Sequence, residues 1–378
     1  MPKEALRVIH IMSEFGGGIS SFILDKAEAL KGQGVHLDIL TFDTPSKRLE
    51  DAIAATGGSI HRVPNPVKDN LLESVKQTNA IFKQLPKQTL VHCNYGMDLA
   101  LIFYLLAKRH GLKFAIHAHT AEPDNTNNMR RRINRWMADY KLSCGLGATE
   151  NIFGIQALKA NDVVHIPNSI NIQNFLGKSF DVDRKVEAYG TQNQDKLIIS
   201  QIARFHEVKN HQFSLQVIEA LAKTDLDFLW VFFGKGKIEE EIKQETAARN
   251  LTSYVKFMGR RNDIAELYPT MDLLVLPSHF EGLSTVAIEA QASGKKILLS
   301  DIQTRETDLE LGLVEFLPIE NGEEDVQLWA QTIIDNQQLP QVTDAEIFEK
   351  FEKKKFTSAT SAALYLDFLK GKIQSYRI

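Results

Sequence analysis

The chain alternates short apolar runs with stretches of helical spacing. "LRVIHIM" (6–12) predicts a first strand, followed by the glycine loop "SEFGGGIS". A helix is expected from about Ser20 to Lys31, ended by Gly32 and Gly34. "VHLDILTF" (35–42) predicts a second strand, and "SIHRV" (59–63), "TLVHC" (89–93) and "KFAIHAH" (113–119) predict more. "KLSCGLGAT" (141–149) and "DVVHIPN" (162–168) complete a first half. The pattern restarts near Lys196. "KLIISQIA", "DFLWVFFG", "YVKFMG", "DLLVLP" and "KKILLS" read as strands, with helical stretches such as "NHQFSLQVIEALAK" and "KIEEEIKQETAARN" among them. Strands alternating with helices of this length indicate parallel sheets covered on both faces. The expectation is an α/β chain of two doubly wound, Rossmann-like domains, with the seam in "PNSINIQNF" (167–175). The last helical segment, "TSAALYLDFLKGKIQSY", could pack on the second half or cross back to the first. The expected division is 1–170, joined by 358–378, and 171–357.

Composition narrows the function classes. The chain has 378 residues, enough for two cores. A net charge of −4 gives no global reason to expect nucleic acid. Cys93 and Cys144 are the only cysteines and form no CxxC pair, which argues against a disulfide scaffold or zinc ribbon and suits a reducing cytoplasm. Arg7 and His10 interrupt the first apolar run, so it makes a poor signal peptide. The longest apolar run, "LALIFYLLA", is too short to span a bilayer, so any membrane contact would be peripheral.

Ligands of open α/β sheets bind at the carboxyl ends of strands, and several candidate residues follow strands here. After "LLVLP" comes "SHFEGLSTVAIEAQASGK" (278–295). Gly282 permits a tight turn, and Ser284 is a natural N-cap for a helix starting near Thr285. That helix start offers an anion site, while Glu281 can accept hydrogen bonds from sugar hydroxyls. Glu289, little more than one turn into the helix, could reach a ribose diol. After "KLIISQIA" come Arg204 and Lys209, two cations suited to a diphosphate clamp. "GKGK" supplies Gly234 and Gly236, which permit close backbone approach or simply a turn.

"GGG" (16–18) lies where a phosphate cradle would be, but Ser21 breaks the full GxGxxG pattern, and Asp43 is the nearest acid to the end of the second strand. A dinucleotide-dependent dehydrogenase is therefore disfavoured. His117 and His119 end the fifth strand; a strand-end histidine can orient a ligand or be a hydrogen-bonded loop residue. No further cluster at metal spacing accompanies them. In "MRRRINRWMADY" (129–140), Met129, Ile133, Trp136, Met137 and Tyr140 share one helical face, with Arg130, Arg131, Arg132 and Arg135 beside or opposite. The stripe is either core-facing or part of an anionic-membrane surface.

Together "GGGISSF", "HAHT", "IPNSI", "QIARFHEVKN", "FFGKGK", "FMGRRNDIAELY" and "PSHFEGLSTVAIEAQASGK" resemble the retaining glycosyltransferases of the GT-B fold, family four (glycosyl transferases group 1), of the exopolysaccharide-biosynthesis kind. The resemblance implies two Rossmann-like domains facing a central cleft, with the acceptor bound mainly by the first and a nucleoside-diphosphate sugar mainly by the second. It implies that Arg204 and Lys209 hold the diphosphate, Glu289 the ribose and Glu281 the donor sugar, with Gly282, Leu283 and Ser284 around them. Gly17 and Gly18 would lie near the phosphates or sugar, His119 near the reacting centre, and Arg260 beside the base. His119, Glu281, Arg204 and Lys209 are the catalytic candidates; Gly234 and Gly236 join the donor-binding set. No metal or other cofactor is expected. The chain departs from the family after "KKILLSD", where "IQTRETDLEL" stands in place of a double glycine.

The expectation is a cytoplasmic hexosyltransferase, peripheral at the inner face of the plasma membrane if the acceptor is lipid-linked. Its acceptor would be a glycan or lipid-linked sugar in extracellular or capsular polysaccharide synthesis. A sugar-nucleotide epimerase of the same fold and a catalytically silent sugar-binding partner are the alternatives.

Overall fold

In the computed structural model, residues 5–12, 18–119, 128–336 and 341–376 are described. The chain divides into two compact units, one formed by residues up to Ile170 together with those from Lys355 onward, the other by Asn171–Lys354.

The first unit contains strands β1 (Leu6–Met12), β2 (Val35–Thr41), β3 (Ile60–Arg62), β4 (Leu90–Cys93), β5 (Lys113–Ala118), β6 (Tyr140–Ser143) and β7 (Val163–His165). They form one sheet in the order β3-β2-β1-β4-β5-β6-β7, all pairs parallel. Strand order reverses between β1 and β4, which opens a crevice at their carboxyl ends. β1 and β2 are buried almost throughout, as strands covered on both faces should be. The C-terminal helix Ser358–Leu369 packs in this unit. Its Ala362, Tyr365 and Phe368 join the core formed by Val8, Phe22, Ile39 and Leu142. The Ile170 N–H donates to the Phe356 carbonyl at 3.0 Å and the Ser358 N–H to the Ile170 carbonyl at 2.9 Å, pairing the outgoing and returning chain.

The second unit contains β8 (Leu197–Ile202), β9 (Phe228–Phe233), β10 (Val255–Gly259), β11 (Leu273–Leu276), β12 (Ile297–Ser300) and β13 (Val314–Leu317). Its sheet runs β10-β9-β8-β11-β12-β13, again parallel. Its core gathers Ile199, Phe213, Trp230, Val275, Leu298 and Trp329. The order reverses between β8 and β11, and the loops after these two strands carry Arg204 and Lys209 on one side and Glu281 on the other.

The strand at 314–317 lies beyond the strands expected from the sequence. It is the outer strand of its sheet and only its last residue is fully buried, so it lacks the continuous apolar run of an inner strand.

Candidate active site

The crevice of the second unit is built from backbone outward. The His279 N–H donates to the Val208 carbonyl at 2.9 Å, tying the loop after β11 to the loop after β8. Gln201, buried on β8, donates its amide N–H to the Lys209 carbonyl at 2.9 Å, and its amide oxygen receives the Ser214 hydroxyl at 2.6 Å. The Lys209 backbone is thus anchored to the sheet. Its ammonium pairs with Glu281 Oε1, and the Ser278 hydroxyl donates to the same oxygen at 3.0 Å. Both contacts fall on Oε1, so Oε2 keeps its lone pairs for hydroxyl donors. The Lys209–Glu281 pair is partly shielded from water, with 22% and 13% of the two side chains exposed, which strengthens it over a surface pair.

Ser284 caps the helix Thr285–Ala292, accepting from the Ala287 N–H at 3.3 Å. The N-terminal amides of this helix carry the positive end of its dipole. Leu283 and Ser284 are buried, while Gly282 is partly exposed. Glu289, on the same helix, accepts the Tyr268 hydroxyl at 2.9 Å. Burial pushes the Glu289 carboxyl up to about 7, against the opposing effect of that hydrogen bond. A carboxylate kept in so poor a solvent costs stability and fits a group awaiting polar partners.

Arg204 is exposed directly beyond β8. Gly234 and Gly236 have a packing reason of their own. A Cβ at Gly234 would lie 1.9 Å from the Ala203 carbonyl oxygen, and one at Gly236 would lie 2.1 Å from that of Phe205. Only glycine lets this loop run beside the segment that carries Arg204, so the two glycines place the arginine. Arg260 follows β10, the outer strand, two strand spacings or about 10 Å from β8.

The segment after β12 is tied to the end of β11 by side chains. The Gln303 amide N–H donates to the Leu276 carbonyl at 2.7 Å and to Ser300 Oγ at 3.1 Å, and the Ser300 hydroxyl donates to the Ser278 carbonyl. Side chains therefore brace the end of β11.

In the first unit, Gly17 lies outside the described residues. Gly18 opens the helix Gly18–Ala29, where an added Cβ would meet, among the described residues, the Asn168 amide nitrogen at 3.9 Å. His119 follows β5, and its Nε2 lies 2.9 Å from Oδ1 of Asn94, which follows β4. Below it lies a buried group: His117, His92 and His10 with Tyr365. His92 Nε2 is 3.0 Å from His117 Nδ1, and the Tyr365 hydroxyl is 2.8 Å from His92 Nδ1 and 3.3 Å from His10 Nε2. Burial pushes His10 and His119 down to about 3, and His92 and His117 well below their ordinary value. Among the described residues, no group of three or more His, Cys, Asp or Glu is arranged to hold a metal ion.

The arginine-rich segment is helical over Asn128–Met137. Met137 is buried, Ile133 half-buried, and Met129 and Trp136 mostly exposed, so the expected single apolar face is divided. Arg131 Nε donates to the Asn151 carbonyl at 3.1 Å, Asn134 to the Ile152 carbonyl at 3.0 Å, and Arg135 to the Phe153 carbonyl. Two of the four arginines thus cap the C-terminus of the helix Leu146–Phe153, where cations are favoured. Arg131 and Arg135, expected beside or opposite the apolar face, are therefore engaged with a neighbouring helix of the first unit. No helix among the described residues is long and apolar enough to cross a membrane.

Sequence reasoning missed Tyr268 and Asn94. Tyr268 stands in the quoted "FMGRRNDIAELY", and Asn94 in "HCNYG" at the end of β4. A polar residue directly after a central strand was the available signal for Asn94.

Two parallel sheets, each reversing its strand order once, define an α/β protein of two Rossmann-like domains. Residues 183–308 match the family model described as glycosyl transferases group 1, and residues 16–174 that of glycosyltransferase family 4. The chain is 31% identical to the putative glycosyltransferase EpsF of Bacillus subtilis (strain 168) over 343 residues, 88% of each chain. It is 22% identical to the UDP-Gal:alpha-D-GlcNAc-diphosphoundecaprenol alpha-1,3-galactosyltransferase of Escherichia coli, over 79% of this chain and 80% of that one. The crystal structure of Anabaena Alr3699/HepE in complex with UDP and glucose superposes with a TM-score of 0.75 at 16% identity, covering 97% of this chain and all of that one, a likeness of fold. The chain belongs to glycosyltransferase family 4, the group 1 glycosyl transferases, and has the GT-B fold.

Proposed function

We propose that the protein is a retaining hexosyltransferase that moves a sugar from a nucleoside diphosphate to a glycan or lipid-linked acceptor in polysaccharide synthesis. The observation that carries this is the second unit's crevice. Arg204 and Lys209 follow β8, Glu281 follows β11 and pairs with Lys209, and the capped helix that carries Glu289 comes directly after Glu281 in the chain. This is the donor set for a diphosphate joined to hydroxyl-rich groups on both sides.

In the proposed reaction the bond from the anomeric carbon to the β-phosphate oxygen breaks. The acceptor hydroxyl oxygen bonds that carbon from the same face, and its proton passes to the departing phosphate. Arg204, Lys209 and the first amides of the helix Thr285–Ala292 stabilise the charge growing on the diphosphate, so the reaction needs no metal. Glu281 receives hydroxyls of the transferred sugar, Glu289 those of the ribose, and Arg260 lies toward the base. Gly17 and Gly18 are proposed to lie near phosphate or sugar, and the Gly282–Ser284 turn at the diphosphate.

A lipid-linked acceptor would bring the first unit to a membrane surface at the cytoplasmic face. The supporting observation is the exposed Trp136, packed against Tyr104 at 5.1 Å between ring centres, with Leu101, Leu105 and Met129 also exposed. The test of the main reading is incubation with nucleoside-diphosphate hexoses and a panel of glycan and lipid-pyrophosphate acceptors. Nuclear magnetic resonance of the product should show the donor's own anomeric configuration. An inverted linkage would refute retention, and epimerised nucleotide sugar without transfer would favour the epimerase.

A further inference from the structure

We propose that Asn94 fixes the tautomer of His119 and so makes His119 Nδ1 an acceptor for a substrate hydroxyl. The proposal rests on the reading of the chain as a sugar-transferring enzyme.

Asn94 stands directly after β4, beside the point where the first unit's strand order reverses, and is 5% exposed. Its Nδ2 lies 3.0 Å from the Ile11 carbonyl oxygen, and its backbone N–H donates to the same oxygen at 3.3 Å. A carbonyl only accepts, so the amide nitrogen must face Ile11. The amide oxygen therefore faces His119 Nε2, 2.9 Å away. That oxygen also only accepts, so Nε2 must carry a proton. A neutral imidazole has one N–H, which leaves Nδ1 as a bare lone pair.

Neutrality follows from the surroundings. Among the described residues, the titratable groups tied to His119 are His10 on β1, His92 on β4, His117 on β5, packed on its ring, and Cys144 after β6, whose thiol donates to the His119 carbonyl. None is a carboxylate, so nothing in this set favours a second proton on the ring. Burial acts in the same direction. The ring is held between the His117 imidazole, 4.0 Å away between centres, and the Phe22 edge at 5.6 Å. His119 Nδ1 is buried and has no hydrogen-bond partner among the described residues. Buried acceptors are almost always paired, and a sugar hydroxyl is the donor that fits a neutral imidazole lone pair. Asn94 acts through His119 and is a positioning residue.

The first test is the nitrogen spectrum of protein labelled with ¹⁵N-histidine, with His119→Gln to assign the resonance. At neutral pH the proton should sit on Nε2, with Nδ1 bare. A proton on Nδ1, or on both nitrogens, overturns the proposal. The second test is Asn94→Asp, which sets a carboxylate against the Nε2 proton and favours imidazolium, whose Nδ1 donates instead of accepting. In that variant kcat should fall about tenfold per pH unit below the raised His119 pKa, while KM for the donor changes by less than about threefold. The wild type should show no such limb. A folded Asn94→Asp variant with the wild-type pH profile overturns the proposal. If it does not fold, the wild-type spectrum still decides the tautomer. If the wild type transfers no sugar at all, the functional reading falls while the spectrum decides this one separately.

Discussion

The Lys209 ammonium and the Glu281 carboxylate form an ion pair across the crevice of the second unit, joining the loops after β8 and β11. A proposed phosphate ligand and a proposed sugar ligand therefore hold each other before any substrate arrives. Lysine has three N–H donors, so a diphosphate can bind without breaking the pair.

Lys209→Ala should weaken nucleoside-diphosphate binding by about 1.5–3 kcal/mol, roughly 10- to 150-fold, and lower turnover as well. Glu281→Gln should leave free nucleotide binding nearly unchanged and reduce discrimination among donor sugars. Because the two side chains touch, the double variant should lose less than the sum of the singles. Strict additivity in calorimetric titrations would mean the pair is not coupled in the working enzyme.

Glu289 predicts a cost of function. Its carboxyl is raised to about 7 in the folded protein, above the unfolded value. Between the two values the native state binds more protons, so this group's stabilising contribution is present below the unfolded value and lost as pH rises through 7. Glu289→Gln should therefore melt higher than wild type at pH 8, with the gap shrinking toward pH 6. The same variant should bind nucleotide more weakly, and wild-type affinity should fall as pH drops below 7. A variant that melts lower at pH 8 would contradict the proposed strain at this site.

The histidine group in the first unit titrates the other way. His10, His92, His117 and His119 are neutral when folded and held below their ordinary value by burial. From about pH 6.5 down to the folded values, the unfolded chain binds the extra protons. Stability should fall with pH by up to about 1.4 kcal/mol per pH unit for each group. Hydrogen exchange at pH 5 should show residues of β1, β4 and β5 losing protection before those of β8 and β11. Equal loss in both units would count against the histidines as the weak point.

Arg131→Ala and Arg135→Ala should each cost about 1–2 kcal/mol of stability, because both remove charge-assisted bonds to the end of the helix Leu146–Phe153. If membrane attachment occurs, Trp136→Ala and Arg132→Gln should weaken co-sedimentation with anionic vesicles at low salt without lowering thermal stability. Vesicle binding unaffected by either change would leave this face without that role.

Much of the fold was legible because parallel strands buried on both faces appear as continuous apolar runs. "LRVIHIM" and "DFLWVFFG" are examples, and β1 and β9 lie within them. Ser284 was legible as an N-cap because capping is local: the oxygen and its N–H partner are three residues apart. Tyr268 was not, since its partner Glu289 is 21 residues away and only the sheet brings them together. Asn94 needed three strands to be aligned before its amide could read both Ile11 and His119. The contacts of Arg131 and Arg135 were not legible for a related reason. Helical spacing shows which residues share a face, but the carbonyls that Arg131 and Arg135 cap lie on another helix.

The most direct measurement is calorimetric titration of the wild type and of the Arg204→Ala, Lys209→Ala double variant with UDP, with other nucleoside diphosphates and with their hexose conjugates. The wild type should bind at least one of these at a single site without added metal. The double variant, still folded, should bind that ligand about 100-fold or more weakly. Equal affinity in the two proteins, or no binding of any nucleotide sugar by the wild type, would contradict a donor site between β8 and β11.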